Sequence, residues 1–192
     1  MFYWFCWGLV RFFFFLRTNL VVIGGDKVPK TGTCILVSNH ISGYDPIAVG
    51  LAISKRRVRY MAKAELFRFA PFGWVLRGIG AYPVRREEIS KEFLKLTLSI
   101  LRTNQALLIF GEGTRNKTPS ALLPLKMGFA YLSEMAPSPV IPVYITGTKF
   151  ILSKRIRPTV HVRFGDLLPP GPKQTILHNT ERVLTQFASL EE

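Results

Sequence analysis

A histidine and an aspartate, His40 and Asp45, are separated by four residues in the stretch from Ser38 to Pro46. The apolar run over 33–38 predicts a buried strand, and Asp45 followed by proline is typical of a helix start, with aspartate as the N-cap and proline in the first helical position. A loop of this length can fold back, so that the carboxylate holds one ring nitrogen as a donor and leaves the other free as a base. The same spacing also occurs by chance, as a solvated histidine and a plain helix cap.

Groups suited to phosphate follow two other predicted strands. Arg85-Arg86 follows one of them, and the segment from Glu112 to Arg115 follows the other. Arginine suits a phosphate because its planar fork makes two parallel charge-assisted hydrogen bonds, while Gly113 and Thr114 let the backbone approach closely and add N–H and hydroxyl donors. The carboxyl ends of parallel strands gather at one edge of a sheet, where ligands bind. A base beside such a site suggests that a hydroxyl of a phosphorylated substrate is deprotonated.

Several chemistries lose support from the sequence. It contains no Gly-x-Ser-x-Gly nucleophile elbow and no Gly-x4-Gly-Lys-Ser/Thr phosphate loop, which argues against a covalent serine mechanism and against nucleotide hydrolysis. The two cysteines, Cys6 and Cys34, lie in apolar runs without metal-ligand spacing and are expected to be buried free thiols in a reducing compartment. We therefore expect no metal and no bound cofactor.

Predicted strands and helices alternate along the 192 residues, which suffice for one domain with a substantial core. The pattern predicts strands over 33–38, 58–62, 81–84, 106–110, 140–144 and 159–164, and helices from residue 45 and over 89–104, 127–135 and 172–190. This alternation indicates an α/β fold, a single domain with a mixed, largely parallel sheet flanked by helices.

The N-terminal residues 2–16 are almost wholly apolar and aromatic. As a helix this segment would be roughly 22 Å long, short of the roughly 30 Å hydrocarbon core of a bilayer. The features of a signal peptide are missing, whereas the aromatic side chains favour the headgroup boundary and Arg11 and Arg17 can reach lipid phosphates. We interpret residues 1–19 as a membrane-interface anchor helix and 20–192 as the catalytic domain. The alternatives are a core helix, or a helix that spans the bilayer as part of an oligomer.

The charge balance also favours an anionic partner. Lysine and arginine total 26 against 12 acidic residues, a formal charge of +14, and 48% of the chain is hydrophobic. Such a chain suits anionic lipid headgroups, nucleic acid or acidic proteins. A nucleic-acid-binding protein is the alternative from a different class, but no recognition motif is present, and the aromatic residues, including a second stretch over 66–76, lie in apolar runs. We expect a membrane partner and no nucleic acid.

The chain resembles the 1-acyl-glycerol-3-phosphate acyltransferases, the bacterial lysophosphatidate acyltransferase family, over about residues 20–165. The resemblance lies in four blocks in the family's order, namely Asn39-His40-x4-Asp45, 80–86, 110–115 and 140–143, together with Lys126-x-Gly128. The third block departs from the family pattern, because Gly111 stands where the family usually has proline. Glycine frees the backbone that proline would fix, so we expect a less pre-organised loop.

The resemblance implies a glycerolphosphate acyltransferase-like fold and the transfer of an acyl chain from a thioester to the sn-2 hydroxyl of lysophosphatidate, giving phosphatidate for phospholipid synthesis. His40 would be the general base on that hydroxyl, and Asp45 would fix the tautomer of His40 and stabilise its imidazolium. The hydroxyl would attack the thioester directly, without an acyl-enzyme. Acyl-carrier protein and coenzyme A both remain open as the carrier of the donor.

The same blocks supply the candidate substrate-binding residues. They are Arg86, Glu112, Gly113, Thr114, Arg115 and Lys126. Arg86 and Arg115 would hold the phosphate of the acceptor, whereas Glu112, whose charge repels phosphate, would orient Arg115 or the loop amides. Glycerol-3-phosphate or another lysophospholipid remains an alternative acceptor, and a His-Asp thioesterase would use water instead. The enzyme is expected to be peripheral or monotopic at the cytoplasmic face of the cell membrane, in contact with anionic phospholipid.

Overall fold

The computed structural model describes residues 2–53, 56–84, 91–118, 122–152 and 157–189. Within these ranges the strands are β1 (Asn19–Ile23), β2 (Cys34–Ser38), β3 (Val58–Lys63), β4 (Ala81–Val84), β5 (Ala106–Phe110), β6 (Val140–Thr146) and β7 (Thr159–Phe164). The helices are α1 (Phe2–Arg17), α2 (Asp45–Ala52), α3 (Ala70–Gly78), α4 (Lys91–Leu101), α5 (Gly128–Met135) and α6 (Lys173–Ser189). Short 3-10 helices span Gly25–Lys27, Ala64–Phe67 and Thr148–Phe150.

The described strands form one sheet in the order β1-β7-β6-β2-β5-β3-β4. The five strands from β6 to β4 are parallel to one another, whereas β7 is antiparallel to β6 and β1 is parallel to β7. The predicted single α/β domain with a largely parallel sheet is therefore confirmed. We call the edge at which the five parallel strands end the carboxyl edge. Because of their reversed direction, β7 and β1 begin at this edge.

The centre of the sheet is buried on both faces. Every residue of β2 is buried, and β5 is buried except for partial exposure at its last residue, Phe110. Such strands read as continuous apolar runs because helices cover both faces of a parallel sheet. One core lies between the sheet and the helices α1, α2 and α3, and a second lies under α4, α5 and α6. Full burial of one aliphatic side chain contributes roughly 1.5–3 kcal/mol, so these two layers hold the carboxyl edge in place.

Helix α1 contributes its inner face to the first core. Cys6, Trp7 and Phe14 are buried there, and a Cβ atom at Gly50 of α2 would lie only 2.1 Å from Cη2 of Trp7. Helix α1 therefore shares the first core with the rest of the domain, since it packs directly on α2, and its inner face agrees with the core-helix alternative. The expectation for the cysteines is confirmed, because Cys6 and Cys34 are both buried free thiols.

The outer face of α1 is exposed and continues onto α3. The two helices contact each other, and together they expose a surface that we call the aromatic patch. Its members are Trp4, Phe5, Phe12, Phe13 and Phe15 of α1, with Phe69, Phe72 and Trp74 at α3. In the described part of the chain no helix has both the length and the apolar character needed to cross a membrane. Exposed aromatic side chains grouped on two helices that touch each other are typical of an interaction surface.

Candidate active site

The loop after β2 is anchored to β6 by the side chain of Asn39. Its Nδ2 donates to the carbonyl oxygen of Ile145 at 2.9 Å, and its Oδ1 accepts from the amide of Ile145 at 2.8 Å. The buried side-chain amide of Asn39 thus makes two hydrogen bonds to β6 of the kind that pair neighbouring strands, just beyond the end of β2. The next residue, His40, is 6% exposed, and its carbonyl oxygen accepts from the amide of Asn116 at 2.6 Å. Two different chain segments therefore fix the position of the histidine.

His40 and Asp45 meet as the sequence predicts. Nδ1 of His40 lies 2.8 Å from Oδ2 of Asp45, which is fully buried. The same oxygen accepts the backbone amides of Ile41 at 2.7 Å and Ser42 at 2.8 Å. A carboxylate accepts hydrogen bonds only, so it holds the proton of the imidazole on Nδ1 and leaves Nε2 as the acceptor. This is the arrangement of a general base with an orienting carboxylate.

Asp45 does not cap helix α2, and that part of the sequence interpretation is wrong. The N-cap residue is Tyr44, and Asp45 is the first residue of the helix. Its carboxylate turns back into the preceding loop, where it finds the histidine and two amides. This contact within the loop is favoured because it satisfies three donors, more than a helix cap would.

Two further residues hold the pair and were not assigned a role from the sequence. The ring of Phe110 stacks on the imidazole of His40 at a centroid distance of 3.8 Å and an angle of 15°. Thr148, which is fully buried, donates from Oγ1 to Oδ1 of Asp45 at 2.5 Å. Phe110 could have been suspected, since it ends the strand that pairs with β2. Thr148 could not have been predicted from the sequence, because it lies 103 residues from Asp45.

The second loop begins at Gly111, which is tightly held. Its amide donates to the carbonyl oxygen of Ser38 at 2.9 Å, and its own carbonyl oxygen accepts from the amide of Lys126 at 2.8 Å. A Cβ atom here would lie 2.7 Å from Cδ2 of Leu125. Contrary to the expected looser loop, two backbone hydrogen bonds and close packing fix Gly111.

The exposed part of this loop faces the histidine loop. Gly113 has a φ of +69°, and a Cβ atom there would lie 2.8 Å from Cδ and 3.1 Å from Nζ of Lys126, so the lysine side chain lies along the glycine. Thr114 and Arg115 are exposed. Nη1 of Arg115 lies 4.0 Å from the position that a Cβ atom at Gly43 would occupy. Gly43 belongs to the histidine loop, between His40 and Asp45 in the sequence. The structure therefore brings the two loops together, as predicted.

Of the other candidates, Arg86 lies outside the described residues, as does the rest of 85–90. Glu112 lies beneath the site rather than on its surface, because it is 2% exposed. Neither of its carboxylate oxygens makes a hydrogen bond of regular geometry with another described residue, which includes Arg115. Of the two alternatives expected for Glu112, a contact with Arg115 is not met within the described part of the chain, whereas the backbone amides of His40 and Leu123 do lie near its carboxyl group.

Burial raises the pKa of Glu112 from its ordinary value of 4.5 to about 7. The neighbouring charge of Asp45 also raises the pKa, whereas the nearby backbone amides of His40 and Leu123 and the ammonium group of Lys149 lower it. Burial dominates because a carboxylate loses its hydration and gains no well-aligned donor in return. The site thus holds a second carboxyl group whose ionisation is costly.

Metal-binding geometry is not seen in the described ranges. There, no group of three or more histidine, cysteine, aspartate or glutamate side chains is arranged to hold a metal ion. What the described residues offer is a buried, oriented base beside exposed cations and the exposed side chain of Thr114. A base of this kind can activate a hydroxyl group, and the cations can bind an anionic group of the same substrate.

The fold and this site define an acyltransferase. The family profile described as Acyltransferase matches residues 19–146, so the chain belongs to the acyltransferase family. It is 30% identical to the 1-acyl-sn-glycerol-3-phosphate acyltransferase of Bacillus subtilis over 145 residues, which cover 76% of this chain and 71% of that protein. It is 29% identical to the enzyme of the same name from Streptococcus pneumoniae over 200 residues, which cover 100% of this chain and 74% of that protein.

A solved structure has the same fold. The 1-acyl-sn-glycerophosphate acyltransferase from Thermotoga maritima superimposes with a TM-score of 0.76 over 93% of this chain and 74% of that chain, at 24% sequence identity. At this level of identity the likeness concerns the fold, and the chemistry rests on the residues described above.

Proposed function

We propose that the protein transfers a fatty acyl chain from a thioester to the sn-2 hydroxyl of 1-acyl-glycerol-3-phosphate, giving phosphatidate. The observation that carries the proposal is the contact between His40 and Asp45, 2.8 Å apart, beside the exposed Arg115 and Lys126. The names of the Bacillus and Streptococcus relatives support the choice of acceptor.

In this mechanism Nε2 of His40 removes the proton of the acceptor hydroxyl as its oxygen attacks the thioester carbonyl. The C–O bond forms, the C–S bond breaks, and the imidazolium returns the proton to the departing thiolate. Asp45 stabilises the imidazolium because its buried carboxylate lies against Nδ1. No residue of the protein forms a covalent bond with the acyl chain.

The acceptor's phosphate binds to cations of the second loop. Arg115 supplies a planar fork beside the histidine loop, and Lys126 supplies an ammonium group along Gly113. We include Arg86 in this set on the basis of its family block. The thioester is carried by acyl-carrier protein or by coenzyme A.

The protein works as a monotopic enzyme at the cytoplasmic face of the membrane, held there by the aromatic patch and attracted by anionic phospholipid. Two features support this orientation. The C-terminal end of α1 lies near the carboxyl edge, where Nη2 of Arg17 donates to the carbonyl oxygen of Ile151 at 3.3 Å. The neighbouring side chains of Phe150 and Leu152 are 48% and 63% exposed. An acceptor can then enter the site with its tail in lipid, since aromatic and apolar side chains favour the interface.

The test is a product assay with purified protein in mixed micelles. Lysophosphatidate, glycerol-3-phosphate and a neutral lysophospholipid are each offered with palmitoyl-coenzyme A and with palmitoyl-acyl-carrier protein. We expect phosphatidate from lysophosphatidate with at least one donor. Thiol release without an acylated product would indicate a thioesterase, and acylation of glycerol-3-phosphate alone would contradict the proposed acceptor.

A further inference from the structure

We infer that Thr148 is a positioning residue of this active site, acting on His40 through Asp45. It donates from Oγ1 to Oδ1 of Asp45 at 2.5 Å, and both residues are fully buried. The inference rests on the proposed function, in which His40 is the base. None of the four sequence blocks includes Thr148.

The two carboxylate oxygens of Asp45 accept hydrogen bonds from different parts of the protein. Oδ2 accepts from Nδ1 of His40 and from the amides of Ile41 and Ser42, all within its own loop. Oδ1 accepts from Thr148, which belongs to a different part of the chain. A carboxylate held at one oxygen only can rotate about its Cβ–Cγ bond, and rotation would carry Oδ2 away from the imidazole. The threonine fixes the second oxygen and hence the plane of the carboxylate.

The backbone around Thr148 is shaped for this contact. β6 ends at Thr146, and Gly147 turns the chain with a φ of +82°. A Cβ atom at Gly147 would lie 2.0 Å from the carbonyl oxygen of Thr159, so glycine is required for the close turn. The short helix Thr148–Phe150 follows, and its N-terminus has no side-chain cap. The N-cap position is held by Gly147, which has no side chain, and the hydroxyl of Thr148, the next residue, donates to the catalytic carboxylate.

This arrangement joins the histidine loop to one distant strand, β6, at two points. Asn39 anchors the start of the histidine loop on Ile145 of β6, and Thr148 anchors its end from the turn after the same strand. Pre-organised groups of this kind lower the barrier because they need no rearrangement during the reaction. A loss of the hydroxyl should therefore lower kcat more than it raises KM.

The experiment compares Thr148→Val, which keeps the shape and removes the donor, with Thr148→Ser, which keeps the donor. Thr180→Val is the matched control, because Thr180 is also fully buried and donates a similar bond, at 2.7 Å, to the carbonyl oxygen of Ile176 in α6. We expect kcat to fall about 10- to 100-fold in Thr148→Val, the loss typical of one hydrogen bond to a charged group. Thr148→Ser and Thr180→Val should stay within about threefold of wild type. Equal losses in the valine and serine variants, or in the control, would overturn the inference.

A second measurement does not depend on turnover. In protein labelled with ¹⁵N-histidine, the Nδ1 proton of His40 reports its bond to Asp45 directly, and its resonance should shift in Thr148→Val but not in Thr180→Val. An unchanged resonance would overturn the positioning role even if the proposed acceptor were wrong. If Thr148→Val does not fold, Thr148→Ala against Thr148→Ser gives the same comparison.

A double-mutant cycle then tests whether Thr148 acts through the aspartate. Once Asp45→Asn has removed the charge, adding Thr148→Val should cause no further loss of kcat, because residues that act as a unit are not additive. Independent, multiplying losses would show that the threonine contributes by another route and would overturn the inference.

Discussion

The two loops that meet at the carboxyl edge are built in opposite ways. In the histidine loop the polar side chains of Asn39, His40 and Asp45 are buried, and each has partners at hydrogen-bond distance. In the loop after β5 the cationic Arg115 and the nearby Lys126 are exposed to solvent, and the one buried charge, on Glu112, has no well-aligned donor within the described residues.

The difference follows from what each loop has to do. A base must be in position before the substrate arrives, so its hydrogen bonds are made by the protein itself. Groups that bind a phosphate have to keep their donors available, so they remain hydrated until the ligand replaces the water. Substitutions in the first loop should therefore affect turnover, and substitutions in the second should affect binding and the dependence of stability on pH.

The largest effect is expected for His40→Ala. Losing a general base typically costs 10²–10⁴-fold in rate, so kcat should fall by about that factor while the fold is kept. His178→Ala, which removes an exposed histidine of α6, is the control. Turnover is measured with lysophosphatidate and the better thioester, and folding by thermal unfolding. If a tenth of the wild-type activity survived in His40→Ala, His40 would not be the base.

Substitution of Arg115 should separate binding from turnover. Arg115→Ala is expected to raise KM for lysophosphatidate about 10- to 100-fold, the effect of one charge-assisted hydrogen bond, with a much smaller change for the thioester. Arg115→Lys should recover part of the loss, since an ammonium group cannot make the bidentate fork. Arg182→Ala, which removes an exposed arginine of α6, is the control. Equal rises in KM for both substrates would contradict a role in phosphate binding.

The contacts of the site that the sequence predicts are those between residues close to each other in the chain. Asp45 follows His40 by five positions, so the spacing allows their contact, and the resemblance to the family favours it over a solvated histidine and a plain helix cap. The same stretch also predicts Asp45 as the helix cap. This prediction is wrong, because the carboxylate accepts hydrogen bonds from the amides of Ile41 and Ser42 in the loop. Thr148 is brought to Asp45 by the order of strands, and no local pattern encodes that order. β1 was missed for a related reason, since a short and mostly exposed edge strand carries no alternation of apolar and polar residues.

The buried carboxyl group of Glu112 should make stability depend on pH. Its pKa of about 7 lies above the ordinary 4.5, so the folded state favours the protonated form, and this contribution is lost as the pH rises through 7. Glutamine does not ionise, so the free energy of unfolding of Glu112→Gln relative to wild type should rise with pH over this window. A pKa shift of this size corresponds to a change of roughly 3 kcal/mol at most in the free energy of unfolding.

Urea unfolding of both proteins at several pH values between 4 and 8 measures this difference. Glu65→Gln controls for the loss of one carboxylate at the surface. A difference that stays constant across the window would mean that water or a donor reaches Glu112 in solution.

The smallest and most graded effect is expected at the aromatic patch. Because α1 shares the core, surface substitutions test membrane binding better than a truncation of the helix. Phe5→Ser and Phe12→Ser each remove a side chain that is 65% exposed, and Met135→Ser removes one that is 53% exposed on α5, on the other face of the sheet. In flotation with anionic vesicles, each phenylalanine variant should bind several-fold more weakly, in line with an apolar side chain lost from an interface. Equal binding by all three variants would place the membrane contact elsewhere.

Gly111 shows how two positions of this chain depend on each other. Proline, the residue usual in the related block, has no N–H to donate to Ser38, and its ring atoms would collide with Leu125, which lies 2.7 Å from the site of a Cβ. A smaller residue at 125 would make room for the ring, but beside Gly111 it would leave a void. A paired change would relieve the collision with Leu125, but the carbonyl oxygen of Ser38 would still lose its donor. The glycine is therefore matched to its surroundings in two respects, the hydrogen bond to Ser38 and the space left by Leu125, and a substitution here has to be judged together with both neighbours.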